Sequence, residues 1–132
     1  MKEFREFQDE VAEWGDRNFP KSTPYQPLLG LAEEVGELSH AHLKGEQGLR
    51  HTPLEIHRMK KDAVGDILIF LAHYCHKNNF DLQDCKDMVW EQVKQRDWIK
   101  NQKNGIVPPV EEFKPFGDTI ADEMILDEVS GI

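Results

Sequence analysis

Five carboxylates in two short stretches are the residues of this chain best suited to chemistry. Glu33, Glu34 and Glu37 lie in "GLAEEVGELSHAHLKG" (30–45), and Asp62 and Asp66 in "DAVGDILIFL" (62–71). A helix turns about 100° per residue, so Glu33 and Glu34 each share a face with Glu37, and Asp62 shares one with Asp66. Leu31, Val35 and Leu38 surround the glutamates, and an apolar run follows Asp66. An ionised carboxylate on such a surface is costly unless it is paired or holds a metal. Plainer roles are open to most of the set. Glu33 suits a solvated face, Glu34 and Glu37 could pair with Lys44 or Arg50, and Asp62 follows Lys60 and Lys61. Asp66, with apolar neighbours on both sides, fits such a role least.

Hard oxygen ligands without a nearby thiolate suit Mg²⁺ or Mn²⁺. Magnesium commonly binds one or two carboxylates together with substrate phosphates. Ions held this way can activate water and neutralise a phosphate chain, which points to phosphoryl or nucleotidyl hydrolysis. A di-iron site is the competing metal reading, because Glu37 and His40 form an ExxH. Such sites need a second ExxH. Ile69, not histidine, stands three residues after Asp66, and no second ExxH falls on a plausible helix. His40, His42, His51 and His57 then read as exposed or edge residues, and His73 as a satisfied core histidine.

Four helices must position these groups. Phe4, Phe7, Val11 and Trp14 recur every three or four residues and predict a helix over 2–17, stopped at "NFP". Thr23, Pro24 and Gln26 form a start signal with a possible capping box for a second helix, running to about Leu43. "KGEQGLRH" reads as a loop. Thr52, Pro53 and Glu55 repeat the start signal for a third helix, which reaches "NNFD". From Val64 to Cys75 this helix is apolar on almost every side, as in a helix surrounded by others. The fourth is expected to span "DLQDCKDMVWEQVKQRDWIKNQKNG", with Asp81 as its cap and Leu82, Cys85, Val89, Val93 and Ile99 on its buried side. Pro108, Pro109 and Pro115 then end helical order. The expected organisation is a helical domain over 1–104 and a Pro-containing acidic tail over 105–132.

The net charge is −9, and seven acids against one lysine after Val110 supply −6 of it, leaving −3 for the rest. With no basic stripe, a nucleic-acid-coating role is not expected. Small anionic ligands remain possible where cations neutralise the site. Cys75 and Cys85 form no CxxC pair and read as free thiols of a reducing cytoplasm. The charged start "MKEFREFQDEV" shows no secretory h-region, and the longest apolar run, "DILIFLAHYC", is too short to span a bilayer. A cytoplasmic protein without membrane contact is therefore expected.

"EEVGEL" followed by "DAVGDILIFL" resembles the MazG-like all-alpha nucleoside triphosphate pyrophosphatases, over roughly residues 4–100. The resemblance implies a four-helix MazG-like bundle completed by oligomerisation, as a homodimer or homotetramer. It implies an enzyme that uses Mg²⁺ or Mn²⁺ to cleave (d)NTPs between the α- and β-phosphates, giving the monophosphate and pyrophosphate. The family's EExxE falls on Glu33, Glu34 and Glu37, and the aspartate of its ExxD on Asp66. The ExxD glutamate is replaced by Ala63, with Asp62 one residue earlier as a possible substitute. The metal set carried over is Glu34, Glu37, Asp62 and Asp66, and the catalytic set is Glu33, Glu34, Glu37 and Asp66. The basic segment "VKQRDWIKNQK" is similar to the family's, more loosely, and offers Lys94, Arg96, Lys100 and Lys103 to the phosphates. Trp14 and Asn18 are the candidates for the base, although a tryptophan on such a stripe is more often a core residue. The resemblance leans toward a guanine deoxynucleotide. The departure at Ala63 favours the alternative, a non-catalytic helical module that binds a nucleotide or a protein.

Overall fold

The computed structural model describes residues 3–108, and among them it is all-helical, with no strand. Of the acidic tail expected over 105–132, residues 109–132 lie outside the described residues. The helices are α1 (Phe4–Asn18), α2 (Gln26–Gln47), α3 (Pro53–Lys77) and α4 (Leu82–Val93). Chain contacts divide the described residues into two compact units, with the boundary between Asp87 and Met88.

Local chemistry sets most of the helix ends. At the start of α3 the Thr52 hydroxyl accepts from the Glu55 N–H (3.2 Å), and the Glu55 carboxylate accepts from the Thr52 N–H (3.1 Å). This reciprocal pair satisfies two donors that a helix start leaves orphaned. Thr23 and Gln26 make the same exchange at 3.2 and 3.3 Å, one turn ahead of α2. Asp81 caps α4 by accepting from the Gln83 N–H at 2.9 Å.

Two ends differ from the sequence expectation. α2 continues through Gly45 to Gln47 and stops at Gly48, which has a φ of +66°. Glycine adopts this left-handed conformation without steric cost. Gly45 serves packing instead: a Cβ there would come within 3.3 Å of Ile56. α4 ends at Val93 rather than continuing toward Gly105. The following segment closes on itself. The Asp97 carboxylate accepts from the N–H groups of Ile99 (3.0 Å) and Lys100 (2.9 Å), and the Asp97 N–H donates to the Gly105 carbonyl (2.7 Å). Asn101 and Asn104 add further bonds to the backbone. Short polar side chains at these spacings offer the backbone partners that compete with a helix.

α3 is the common partner of α1 and α2. A Cβ on Gly30 of α2 would collide with the Phe70 ring of α3, and Gly45 lies against Ile56. Residues 30 to 45 therefore run opposite residues 70 to 56, and the two helices are antiparallel. On the other side of α3, Val11, Ala72, Cys75 and Leu82 form a buried cluster, with Phe7, Ile69 and Leu71 packed on it. Arg5 and Gln8 tie α1 to the start of α4. Arg5 pairs with Asp81 (2.9 Å) and Asp84 (3.2 Å). Gln8 donates to the Phe80 carbonyl and accepts from the Leu82 N–H, both at 2.7 Å.

Burial departs from the apolar pattern. Val64 and Leu68 of α3 are exposed among the described residues. Along the expected buried side of α4, Leu82 is buried but Val89, Val93 and Ile99 are exposed, Ile99 to 91%. Ile99 lies beyond the end of α4, in the segment that closes on Asp97. Among the described residues no large side chain is fully buried. No described helix is long and apolar enough to cross a membrane.

The tight contact at Gly30 gives a contrast that urea unfolding can measure. Gly30→Ala should destabilise by about 1–3 kcal/mol through overpacking. Gly36, on the same helix, has nothing within 4 Å of a built Cβ. Gly36→Ala should gain up to about 1 kcal/mol of helix propensity. Equal effects of the two changes would show that Gly30 does not set the spacing of α2 and α3.

Candidate functional site

The antiparallel register fixes which acids meet. Counting inward from the Gly30–Phe70 contact, Glu34 of α2 comes opposite Asp66 of α3, one turn along each helix. One further turn brings the Glu37–Leu38 segment opposite Asp62 and Ala63. Ligand oxygens of Glu33, Glu34 and Glu37 all lie within 4.8 Å of one another. Clusters of exposed acids are common without an ion, so this grouping is not by itself a metal site. Asp62 and Asp66 do not join the three at that distance.

Glu34 is distinct within the set. Its Oε2 atom is buried and has no hydrogen-bond partner, whereas Glu33 and Glu37 are exposed. Burial is the largest influence on it, followed by the charges of Glu37, Asp66, Glu33 and Asp62, and together they hold its carboxyl above the usual glutamate range. All four other acids of the sequence-derived set therefore act on this one group. None of the five carboxylates makes a hydrogen bond or ion pair with a described residue. Lys44 bonds to Gln47 instead, at 2.9 Å. A buried, unpartnered carboxylate oxygen beside further carboxylates is a donor set that fits a hard divalent cation.

Ala63 is 3% exposed and belongs to the packed side of α3, whereas Asp62 is exposed. Asp62 nevertheless lies close enough to raise Glu34.

The remaining candidates stand elsewhere. Trp14 is 43% exposed rather than core and meets Phe19 edge-on, with ring centroids 5.6 Å apart. Asn18 donates to the Trp14 carbonyl at 2.8 Å, so the two are adjacent and the Asn18 amide already closes the end of α1. Lys94, Arg96, Lys100 and Lys103 belong to the second unit and are all exposed. Lys94 pairs with Glu91 at 2.8 Å.

His40 and His51 are half-buried and meet edge-on at 6.4 Å, and His42 and His57 are exposed. His73 is buried as expected, but it is not satisfied, since its Nε2 has no partner. No sequence pattern marks that atom, because the deficit arises from the close approach of α1. Comparison with known protein families, with curated proteins and with solved structures found no match.

Glu34 gives the metal-free chain a pH signature. Its carboxyl is raised in the folded state, so the folded chain holds that proton more tightly than the unfolded one. The resulting stabilisation is complete below the ordinary glutamate range and is lost as pH rises through the raised value. Glu34→Gln should therefore match the wild type in acid and exceed it at pH 7. Urea midpoints with chelator present, measured from pH 4 to 8, test this. A variant less stable than wild type at neutral pH would contradict the assigned burden on Glu34.

Proposed function

We propose that this chain is a divalent-metal-dependent nucleoside triphosphate pyrophosphohydrolase of the MazG-like kind. The reading rests chiefly on Glu34, whose buried, unpartnered oxygen sits among four further carboxylates on two antiparallel helices. Glu34, Glu37, Asp62 and Asp66 would hold Mg²⁺ or Mn²⁺, and Glu33 would orient the attacking water. The ion would supply neutralisation of the phosphate charge and activation of water. In the reaction, water adds to the α-phosphorus, the bond to the bridging oxygen breaks, and pyrophosphate leaves with the nucleoside monophosphate as the other product. Lys94, Arg96, Lys100 and Lys103 are the proposed phosphate contacts, and Arg96 is best suited because a guanidinium matches phosphate oxygens geometrically. The exposed Trp14 face and the Oδ1 atom of Asn18 are the proposed contacts for a base, with a lean toward guanine deoxynucleotides.

Pyrophosphate release from the eight common nucleotides, with Mg²⁺ or Mn²⁺, is the direct test. Glu37→Ala and Asp66→Ala should each lower turnover by roughly 10²-fold or more, the scale of losing transition-state charge stabilisation. No release from any of the eight, or full activity in both variants, would refute the proposal. Ala63 favours the second reading, a helical module that binds a nucleotide without turning it over. Calorimetry with a non-hydrolysable nucleotide separates the two, since tight binding by a chain that releases no pyrophosphate supports the module.

A homo-oligomer belongs to the same proposal. Val64 and Leu68 are exposed on α3, and Gly65 between them has open space where a Cβ would stand. A second copy packed on this face would bury apolar surface that the described residues leave open. Light scattering should then give at least twice the 15.3 kDa chain mass, and Leu68→Glu should reduce it. A wild-type mass equal to one chain would exclude the oligomer.

A further inference from the structure

We infer that the seam between α1 and α3 is an acid-sensitive latch, shut while the His73 ring is neutral and loosened when the ring gains a proton. His73 is 5% exposed and its Nε2 has no hydrogen-bond partner. The α1 backbone lies directly on that edge of the ring: a Cβ on Gly15 would come within 2.6 Å of Nε2 and 2.8 Å of Cδ2. A neutral imidazole tolerates the site by leaving Nε2 as a bare lone pair. A second proton would make Nε2 a cationic donor facing Gly15, shielded from solvent and with no acceptor among the described residues.

The charged groups around the ring do not relieve this. On α3, His76 stacks on His73 at 6.4 Å with ring planes 14° apart, and Lys77 adds a further positive charge. On α1, Asp16 is the group that would favour a charged His73. Its carboxylate is already engaged by Nε2 of His76, at 2.9 Å. Burial first, then His76 and Lys77, therefore hold His73 below the usual imidazole range. When α1 lifts, His73 regains water and takes up the proton. Acid thus drives opening against the Asp16–His76 contact, which ties the same two helices.

Release of α1 would not stop at this seam. The same helix holds the start of α4 through Arg5 and Gln8, and it carries Trp14 and Asn18. The latch rests on His73 and Gly15, so it does not depend on the proposed enzymatic reading.

Hydrogen exchange of the Val11–Asn18 amides in the full chain, labelled from pH 5 to 8 and corrected for intrinsic rates, tests the latch. Below about pH 6.5 the open fraction should rise by nearly tenfold per pH unit, until the folded-state His73 itself titrates. In His73→Leu the corrected protection should be flat across this range. A flat wild-type profile, or an equal slope in His73→Leu, overturns the inference. Should the variant not fold, the wild-type His73 ring titration followed by NMR decides. A midpoint below the ordinary imidazole range supports the latch, and one at or above that range overturns it.

Discussion

The close approach of α2 and α3 at Gly30 is the constraint on which the acidic site depends. Phe70 fills the space a side chain at position 30 would need, so the two helix axes come close and their register is pinned. Glu34 stands one turn from Gly30 on the same face and is carried into the seam with it. Asp66 stands one turn before Phe70 on α3 and arrives opposite. The proximity of the acids therefore follows from an apolar contact, since carboxylates alone would drive the helices apart. The packing holds in place a repulsion it does not relieve, and a divalent cation would reverse the sign of that term.

Much of this was legible in the residues. Period 3.6 gave four helices, and the Thr52–Glu55 pair marked the start of α3 because a capping box leaves little freedom in spacing. The pairing of Asp62 with Asp66, and of Glu33 and Glu34 with Glu37, also followed from periodicity. What periodicity does not give is the register between helices. It could not single out Glu34 as the buried member, because that depends on which residue of α3 lies opposite. Both glycines of "KGEQG" fell in the expected loop, yet one packs against Ile56 within α2 and the other ends the helix. The early end of α4 came from Asp97, Asn101 and Asn104 binding the backbone, a competition that the apolar pattern does not register.

Hydrophobicity misled in one consistent direction. The run from Val64 to Cys75 suggested a helix enclosed on all sides, yet Val64 and Leu68 are exposed. Trp14 likewise belongs to the apolar stripe of α1 but stands at the surface beside Phe19. Apolar composition reports how much surface a helix needs to bury, not whether the same chain supplies the cover.

Among the described residues, the two buried side-chain polar atoms without a hydrogen-bond partner belong to Glu34 and His73, and both lie at seams of α3. Its small side chains, Ala63 and Ala72, are almost wholly buried and let α2 and α1 approach closely. Close approach has an electrostatic consequence on each side. Toward α2 it strips water from Glu34 among like charges, and toward α1 it strips water from the edge of His73. In both seams the neutral form of the buried group is favoured, but neutrality means a proton gained by the acid and a proton withheld from the imidazole. The two seams thus respond oppositely to acid. A drop in pH relieves the α2–α3 contact while it loads the α1–α3 contact, so α1 is the element acid would release first from α3.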